Sequence, residues 1–486
     1  MLRIIRSLAT RASPRLQDVV IIGGGPAGLT LLSALKTSPK LRHLRCTLVE
    51  GFSLEPVRNF QVDPPEQYTN RIVSLTPKSI EFMQKIGNWD YIHEDRIRDY
   101  NGIIAYDSQD ATSRIEFDIG VTGKDTLATM CEVINIQSSL LTKLQELSDE
   151  STEPGFEILD NTKVVEIVSP PEAAPDLSNH DLNQPDPTLG NNKLDWPIVK
   201  LSNGEMIQSR LLIGADGYNS PVRTFAQIES RGWQYNRFGV VACIKLQYED
   251  FRSIGWQRFL TTGPLAILPL TEDNATIVWS STPELSSLLL QVNESIFPHL
   301  VTAAMVLEEV DLNYIYQMLQ RDPNDSNAVQ EIEWRLSKFK PSELDENYPL
   351  PAVKLIPNTR AKFPLKMSHA DSYTAPRVAL VGDAAHTIHP LAGQGLNMGQ
   401  SDVAALVQAL EKGVDRGMDL GSTLVLEEYT ANAWPANHVL LGVCDKLHKV
   451  FSTDFYPLVV ARGLGMKGLN MFDEVKGFMM NMVSGR

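Results

Sequence analysis

The stretch DVVIIGGGPAG, residues 18–28, decides the fold of this chain. An apolar run of strand length is followed by three spaced glycines, Gly23, Gly25 and Gly28, and then by an apolar run typical of a helix. In such a strand–turn–helix unit, the first glycine permits a tight turn and the second lets the backbone approach a pyrophosphate. The third lets the helix pack closely against the strand. The stretch therefore predicts the start of a dinucleotide-binding βαβ unit in an α/β fold.

A second strand, residues 46–50, completes the unit and ends in Glu50, whose carboxylate can accept hydrogen bonds from a ribose. The helix N-terminus that follows the glycines supplies a site for an anion. NADP is disfavoured because Glu50 would repel a 2′-phosphate. NAD and FAD both remain open at this point of the sequence.

The composition excludes several classes of function. A length of 486 residues is sufficient for two packed modules with a large core. The net charge of −15 argues against a nucleic-acid partner, which would need a basic surface. The four cysteines lie far apart and form no CxxC pair, so neither a zinc site nor a disulfide framework is expected.

The first 17 residues have the composition of a mitochondrial transit peptide. They carry four arginines and several serines or threonines, and no acidic residue precedes Asp18. A basic stretch without acids can form the amphipathic helix that import requires. No run of eighteen apolar residues follows, so no membrane-spanning segment is predicted.

Two further glycine-rich motifs follow apolar strands. Asp216 lies in GADG, residues 214–217, and Asp383 lies in GDAAH, residues 382–386. A single dinucleotide fold that held FAD would need such additions: an acid for the ribityl or ribose hydroxyls, and a loop against the flavin ring. Asp383 suits the hydroxyls, and the amides around 393–396, at the start of an amphipathic helix, can face the flavin ring.

The pattern changes between the two motifs. Residues 170–195 are rich in proline and polar residues and are predicted to be a mobile insertion. Alternating apolar residues over 239–281 predict an antiparallel sheet. Thr76 and Pro77 have the pattern of a helix start. His386 and His389 have the spacing of a metal-binding pair, but no third ligand is near, so packing beside the loop is the better interpretation and no metal is expected.

The three ordered motifs, at Gly23, Asp216 and Asp383, resemble those of the para-hydroxybenzoate-hydroxylase-like class A flavoprotein monooxygenases. Within that family, the segment PLAGQGLN at 390–397 and the segment YTNRIVSLTP at 68–77 are similar to the branch that acts in ubiquinone biosynthesis. The likeness covers nearly the whole chain. It implies a Rossmann-like FAD-binding domain of the GR2 type, with an inserted antiparallel-sheet substrate domain and a helical C-terminal extension.

The resemblance also implies domain boundaries and site residues. It places the FAD-binding domain at 18–92, 128–235 and 355–430, the substrate domain at 93–127 and 236–354, and the extension at 431–486, after a leader at 1–17. Arg71 and Pro390 are expected to act in catalysis. The residues expected to bind FAD are Gly23, Gly25, Gly28, Glu50, Arg71, Gln137, Asp216, Asp383, Gly393, Gly395, Leu396 and Asn397.

The implied reaction is hydroxylation of a 3-polyprenyl-4-hydroxybenzoate-type ring at C5 by dioxygen, through a flavin C4a-hydroperoxide. The implied partners are the polyprenylated hydroxybenzoate substrate, ferredoxin and ferredoxin reductase as electron donors, other ubiquinone-biosynthesis proteins, and the matrix side of the inner mitochondrial membrane. Residues 446–486, with six basic and three acidic side chains among many apolar ones, suggest a peripheral membrane contact.

Two other interpretations remain open: a non-enzymatic module that binds a prenylated partner, and a hydroxylase of another phenolic substrate. A flavin disulfide reductase would need a CxxC-type pair and a second dinucleotide motif, and the sequence has neither.

Overall fold

The computed structural model describes residues 13–110, 112–119, 126–150, 155–170, 195–390, 393–472 and 476–477. Most of the predicted leader and nearly all of the predicted insertion at 170–195 lie outside the described residues.

The described strands are β1 (Arg15–Ile22), β2 (Cys46–Val49), β3 (Ile72–Leu75), β4 (Ile97–Tyr100), β5 (Gly102–Asp107), β6 (Arg114–Asp118), β7 (Ala128–Glu132), β8 (Phe156–Leu159), β9 (Val164–Val168), β10 (Ile198–Leu201), β11 (Met206–Gly214), β12 (Ser230–Leu246), β13 (Ile254–Leu260), β14 (Gly263–Pro269), β15 (Asn274–Ser281), β16 (Ala352–Leu355), β17 (Ala361–Ala370), β18 (Thr374–Ala375), β19 (Val378–Leu380) and β20 (His386–Thr387).

The described α-helices are α1 (Pro26–Thr37), α2 (Glu55–Val62), α3 (Pro77–Lys85), α4 (Val133–Asp149), α5 (Pro221–Phe225), α6 (Pro283–Gln291), α7 (Phe297–Val306), α8 (Glu309–Arg321), α9 (Asn327–Leu336), α10 (Pro341–Asn347), α11 (Gly395–Asp415), α12 (Thr423–Phe451) and α13 (Tyr456–Asn470).

The first sheet is the predicted dinucleotide-binding sheet. Its parallel strands lie in the order β19-β11-β1-β2-β8, and β9, β10 and β18 extend it with antiparallel pairs. Residues 19–21 of β1 are fully buried, because helices cover both faces of a parallel sheet. The Rossmann-like fold class is confirmed, and so is the helix start at Thr76, whose hydroxyl caps the amide of Ser79.

Strand β1 starts earlier than the predicted leader ends. Residues 15–17 pair with 207–209 of β11. A leader that ended at residue 17 would therefore remove three paired residues from the sheet. The pairing argues for a boundary before residue 15, and the leader itself stays a prediction.

The second large sheet has nine strands in the order β20-β17-β12-β15-β14-β13-β5-β6, with β16 beside β12. The predicted antiparallel arrangement over 239–281 is confirmed, although β5 joins β13 in parallel. Helices α6 to α9 bury one face of this sheet in a shared apolar core. Strands β3, β7 and β4 form a small third sheet in the order β3-β7-β4.

Strand pairing bears on the predicted domain boundaries. Strand β17 follows the predicted boundary at residue 355, yet it pairs with β12 in the nine-stranded sheet. A strand pattern in the sequence does not tell which sheet the strand will join, so the sheet extends further than predicted. The division into domains itself stays a prediction.

The C-terminal extension is helical, and its two helices contact different parts of the molecule. Helix α12 packs along α11, whereas α13 packs on β6 of the nine-stranded sheet. Phe451, near the end of α12, stacks on Phe259 with ring centroids 3.9 Å apart. None of the helices in the described ranges is long and apolar enough to cross a membrane.

A buried ion pair fixes α13 to the sheet. The Arg462 guanidinium donates to both carboxylate oxygens of Asp107, at 2.6 and 3.0 Å, and to the carbonyl oxygens of Val450 and Thr453. The side chains of Arg462 and Asp107 are 2% and 0% exposed. Removing one partner of such a pair leaves an uncompensated charge in the interior.

We therefore expect Arg462→Met to lower the free energy of unfolding by about 3–5 kcal/mol, measured by denaturant titration. Lys467→Met is the matched control, because Lys467 lies on the same helix and its ion pair with Asp110 is exposed to solvent. The control should change stability by less than about 1 kcal/mol. Equal effects of the two substitutions would contradict the structural role of Arg462.

Candidate active site

In the glycine loop, one glycine has room for a side chain and two do not. A Cβ atom at Gly23 would lie 2.3 Å from the carbonyl oxygen of Ala215, and one at Gly28 would lie 1.9 Å from the carbonyl oxygen of Gly23. At Gly25, by contrast, a Cβ would meet no atom within 4 Å. The loop is thus pressed against the end of β11 on one side and faces open space at Gly25.

Two polar side chains hold the middle of this loop. The amide of Gly24 donates to Oε2 of Glu50 at 2.5 Å, and its carbonyl oxygen accepts a hydrogen bond of 3.1 Å from Nε2 of Gln137. The other oxygen of Glu50 accepts from the amide of Phe52 at 2.9 Å. Glu50 and Gln137 therefore lie at the loop where the sequence places them, and both fix its backbone.

Asp216 lies in the turn after β11, beside the glycine loop. Its Oδ2 accepts from the amide of Val222 at 3.2 Å, and its Oδ1 is buried with no hydrogen-bond partner among the described residues. Burial raises the pKa of Asp216, against the opposing hydrogen bond from Ser220. A buried oxygen without a partner is costly unless a ligand or water satisfies it.

Arg223 connects the two motifs that follow Gly23. Its guanidinium donates to the carbonyl oxygen of Ala384 at 2.7 Å and to that of Tyr218 at 2.5 Å. The turn that carries Asp216 is thereby tied to the turn that carries Asp383.

Asp383 lies within electrostatic range of His386 and Arg71. Burial raises the pKa of Asp383, and the opposing influences of His386 and then Arg71 do not reverse the shift. The Asp383 side chain is nevertheless accessible to solvent, so the carboxylate lies in a recess, with protein around it and an open side. The guanidinium of Arg71 is exposed and has no hydrogen-bond partner within the described part of the chain. Both charges are free to contact a ligand.

The loop after this motif ends in a helix. The carbonyl oxygen of Pro390 accepts from the amide of Gly393 at 3.2 Å, which closes a turn in which Gly393 has a φ of +61°. Helix α11 then begins at Gly395. The first amides of a helix have no partner inside it, so those of Gly395 and Leu396 can bind an anionic or electron-rich group.

Asn397 was predicted to contact the cofactor, but its side chain is buried and bonded to protein. Its Oδ1 accepts from the amide of Thr76 at 3.0 Å and from the hydroxyl of Ser79 at 2.8 Å. Its Nδ2 donates to the carbonyl oxygen of Ser74 at 2.8 Å. Asn397 therefore ties the start of α11 to β3 and α3, and only its backbone remains for a ligand.

The two histidines of the predicted HxxH pair have separate surroundings. Nε2 of His386 lies 2.5 Å from Oδ2 of Asp402. His389 is buried between the rings of Tyr235 and His448, with centroids 5.0 and 4.8 Å away, and burial lowers its pKa to about 3. Among the described residues, no group of three potential ligands could hold a metal ion.

The arrangement fits FAD. Open space at Gly25 suits a pyrophosphate, the unpaired oxygen of Asp216 and the accessible carboxylate of Asp383 suit hydroxyl donors, and the start of α11 suits an electron-rich ring edge.

Sequence reasoning missed the connecting role of Arg223 and the contacts of Asp402. The signal for Asp402 was an acid on the apolar face of α11, next to Val403 and one turn before Leu406.

The chain matches known proteins over most of its length. Residues 17–435 match the family described as FAD binding domain. The mitochondrial ubiquinone biosynthesis monooxygenase COQ6 of Saccharomyces cerevisiae is 46% identical over 99% of this chain and 97% of its own. The human protein of the same name is 31% identical over 96% of this chain and 92% of its own.

Solved structures share the fold. The p-nitrophenol 4-monooxygenase PnpA of Pseudomonas putida has a TM-score of 0.64 and 17% identity, and covers 98% of this chain and all of its own. The probable FAD-dependent monooxygenase pqsL of Pseudomonas aeruginosa has a TM-score of 0.61 and 19% identity, and covers 93% of this chain and all of its own.

Proposed function

Because the chain belongs to the mitochondrial ubiquinone biosynthesis monooxygenases, which are FAD-dependent, we propose that it hydroxylates C5 of a 3-polyprenyl-4-hydroxybenzoate-type ring. The observation that carries the proposal is the likeness to the yeast monooxygenase over nearly the whole length of both chains. FAD, when bound, supplies the activation of dioxygen that ring hydroxylation requires. The protein must bind the cofactor, exclude water and orient the ring.

The cofactor residues are proposed from the geometry of the site. The backbone at Gly23, Gly25 and Gly28 holds the pyrophosphate, Glu50 and Gln137 fix the loop, and Asp216 and Asp383 accept hydroxyl donors. Arg71 holds positive charge beside Asp383, and the turn from Pro390 to Leu396 lies against the flavin ring, with Gly393 and Gly395 allowing a close approach.

An apolar cluster lies beside this turn. Tyr100, Met130, Cys243 and Leu270 are buried together between the small third sheet and the nine-stranded sheet. Ser74 lies between this region and the proposed flavin loop. The hydroxyl of Ser74 is 2.7 Å from the hydroxyl of Tyr100, and a Cβ atom added at Gly393 would lie 3.4 Å from the Cβ of Ser74. We propose that the substrate ring lies against the edge of this cluster, whose apolar side chains would exclude water from one side of the ring.

A test of the reaction uses the purified chain, a short-chain prenylated 4-hydroxybenzoate and isotopically labelled dioxygen. We expect ferredoxin, ferredoxin reductase and NADPH together to yield a product with labelled oxygen at C5, located by mass spectrometry and NMR. NADPH alone should give little product. Labelled oxygen at another ring position would show that the assignment to C5 is wrong. If the flavin is reduced but no phenol is oxygenated, the result would favour the alternative of a non-enzymatic module that binds a prenylated partner.

The cofactor site is tested by Gly25→Val. The backbone of Gly25 is extended, with φ −69° and ψ 178°, and its Cβ position is open, so valine fits the apoprotein. We expect at least a tenfold weaker affinity for FAD, about 1.4 kcal/mol, by titration of the apoprotein. Asp383→Ala should weaken FAD binding as well.

Gly465→Ala is the matched control, because its Cβ position is equally open but lies on α13. Unchanged FAD affinity in both Gly25→Val and Asp383→Ala would show that the cofactor lies elsewhere.

We also propose that α13 contacts the matrix face of the inner membrane, because a polyprenylated substrate resides in lipid. Val459 and Met466 face the protein, whereas Tyr456, Val460 and Leu464, spaced by four residues, are 76%, 42% and 66% exposed. An exposed apolar stripe of this kind can enter the headgroup region. Three of the six basic residues predicted to assist are engaged elsewhere: Arg462, Lys467 and Lys449 form ion pairs with Asp107, Asp110 and Asp445.

The double substitution Val460→Glu and Leu464→Glu should therefore reduce binding to cardiolipin-containing liposomes at least threefold in a flotation assay, with FAD still bound. These substitutions are cleaner than truncation after residue 455, which would leave Asp107 buried without its partner. Leu424→Glu is the control, since Leu424 is 68% exposed on α12. Equal binding by the double variant and the control would exclude α13 as the contact.

A further inference from the structure

The turn that presents Asp383 depends on a contact from another helix. Gly382 has a φ of +60°, a conformation that favours glycine, and its amide donates to Oδ2 of Asp402 at 3.0 Å. The same oxygen bonds Nε2 of His386 at 2.5 Å. Asp402, on α11, thus holds residues on both sides of Asp383.

Asp402 is completely buried, so its charge must be compensated inside the protein. Burial is the largest influence on the pKa of His386 and lowers it, but the carboxylates of Asp402 and Asp383 together act against burial, and the net shift is upward. Oδ2 of the Asp402 carboxylate is therefore held by hydrogen bonds to the amide of Gly382 and the ring of His386. Oδ1 of Asp402 accepts a third hydrogen bond, of 2.8 Å, from Nδ2 of Asn437.

Asn437 extends the network along α12. Its Nδ2 also donates to the hydroxyl of Tyr373 at 3.1 Å, and that hydroxyl lies 2.8 Å from Nε2 of His369. Burial, and then His386 and His438, lower the pKa of His369 to about 4, so the neutral ring can accept the tyrosine proton. Nδ2 of Asn437 has two protons, one for Asp402 and one for the Tyr373 hydroxyl, and that hydroxyl can then donate its own proton to His369. Asn437 lies beyond residue 435, where the match to the FAD binding domain ends.

We propose that Asp402 is a positioning residue for FAD. Paired with His386, it fixes the turn at Gly382 so that the Asp383 carboxylate faces the cofactor. Asn437 in turn fixes Asp402, which makes the C-terminal helix α12 a functional part of the flavin site. The proposal rests on the proposed role of Asp383 in binding FAD.

The test compares Asp402→Ala, Asp402→Asn and Asp419→Ala as folded apoproteins. FAD affinity is measured by quenching of flavin fluorescence, well below the melting temperature of each variant, and the melting temperatures are recorded separately. Asp419 is the matched control, because its carboxylate bonds Arg210 and Arg377, at the start of β19 rather than at its end. Its loss should lower stability without moving Asp383.

We expect Asp402→Ala to weaken FAD binding at least tenfold, whereas Asp419→Ala lowers the melting temperature and leaves the affinity unchanged. Asp402→Asn should restore the affinity to within about threefold, since its amide oxygen can still accept from Gly382 and His386, and Asn437 can rotate its amide to match. If Asp402→Ala lowers the melting temperature but binds FAD as the control does, Asp402 is only structural and the proposal is wrong.

Two further variants separate the possible failures. If Asp402→Ala does not fold, Asn437→Ala decides: an affinity reduced threefold or more supports the proposal, and an unchanged affinity overturns it. Asp383→Ala tests the premise, because wild-type FAD binding by that variant would refute the role of Asp383 itself. Loss of FAD in Asp383→Ala, with normal binding in Asp402→Ala, would refute only the positioning role.

Discussion

No side chain can stand between the carboxyl ends of β1 and β11, and the rest of the site depends on this close approach. Gly23 lies against the carbonyl of Ala215, and Gly28 lies against Gly23 itself. Because β1, β2, β11 and β19 run parallel, their carboxyl ends meet at one edge of the sheet. The glycine loop, Glu50, Asp216 and Asp383 follow these ends, so one steric constraint gathers residues from distant parts of the chain. Ligands of open α/β sheets bind at this edge.

The start of α11 is bonded to the small third sheet through β3. Asn397 bonds the strand and helix that flank Thr76, and Ser74 in the same segment touches the apolar region proposed for the ring. The proposed positions of the cofactor and of the substrate ring therefore depend on the same few hydrogen bonds. A change at Asn397 would alter both proposed positions, although its side chain has no contact left for either ligand.

Local patterns in the sequence predicted the βαβ unit, the acidic motifs and the antiparallel sheet, because each depends on residues close together in the chain. Glycine spacing predicted the loop since it reflects backbone sterics that any such turn must obey. Strand pairing was harder to predict from the sequence, because nothing in residues 361–370 shows that β17 joins β12 rather than the first sheet. Asp402 and Arg223 were not recognised because their partners lie on other elements, and an acid within an apolar helix face does not by itself name its partner.

Helix α12 runs for 29 residues from α11 toward the nine-stranded sheet. Its middle supplies Asn437 to Asp402, and its C-terminal end places Phe451 on Phe259 and receives Arg462 through the carbonyl of Val450. A frameshift upstream of Asn437 would therefore remove the bond to Asp402, the stacking of Phe451 and the ion pair of Arg462 at once. Alleles of that kind should behave in genetic crosses as complete losses, and a fusion partner is better attached through a flexible spacer after the last residue than within α12.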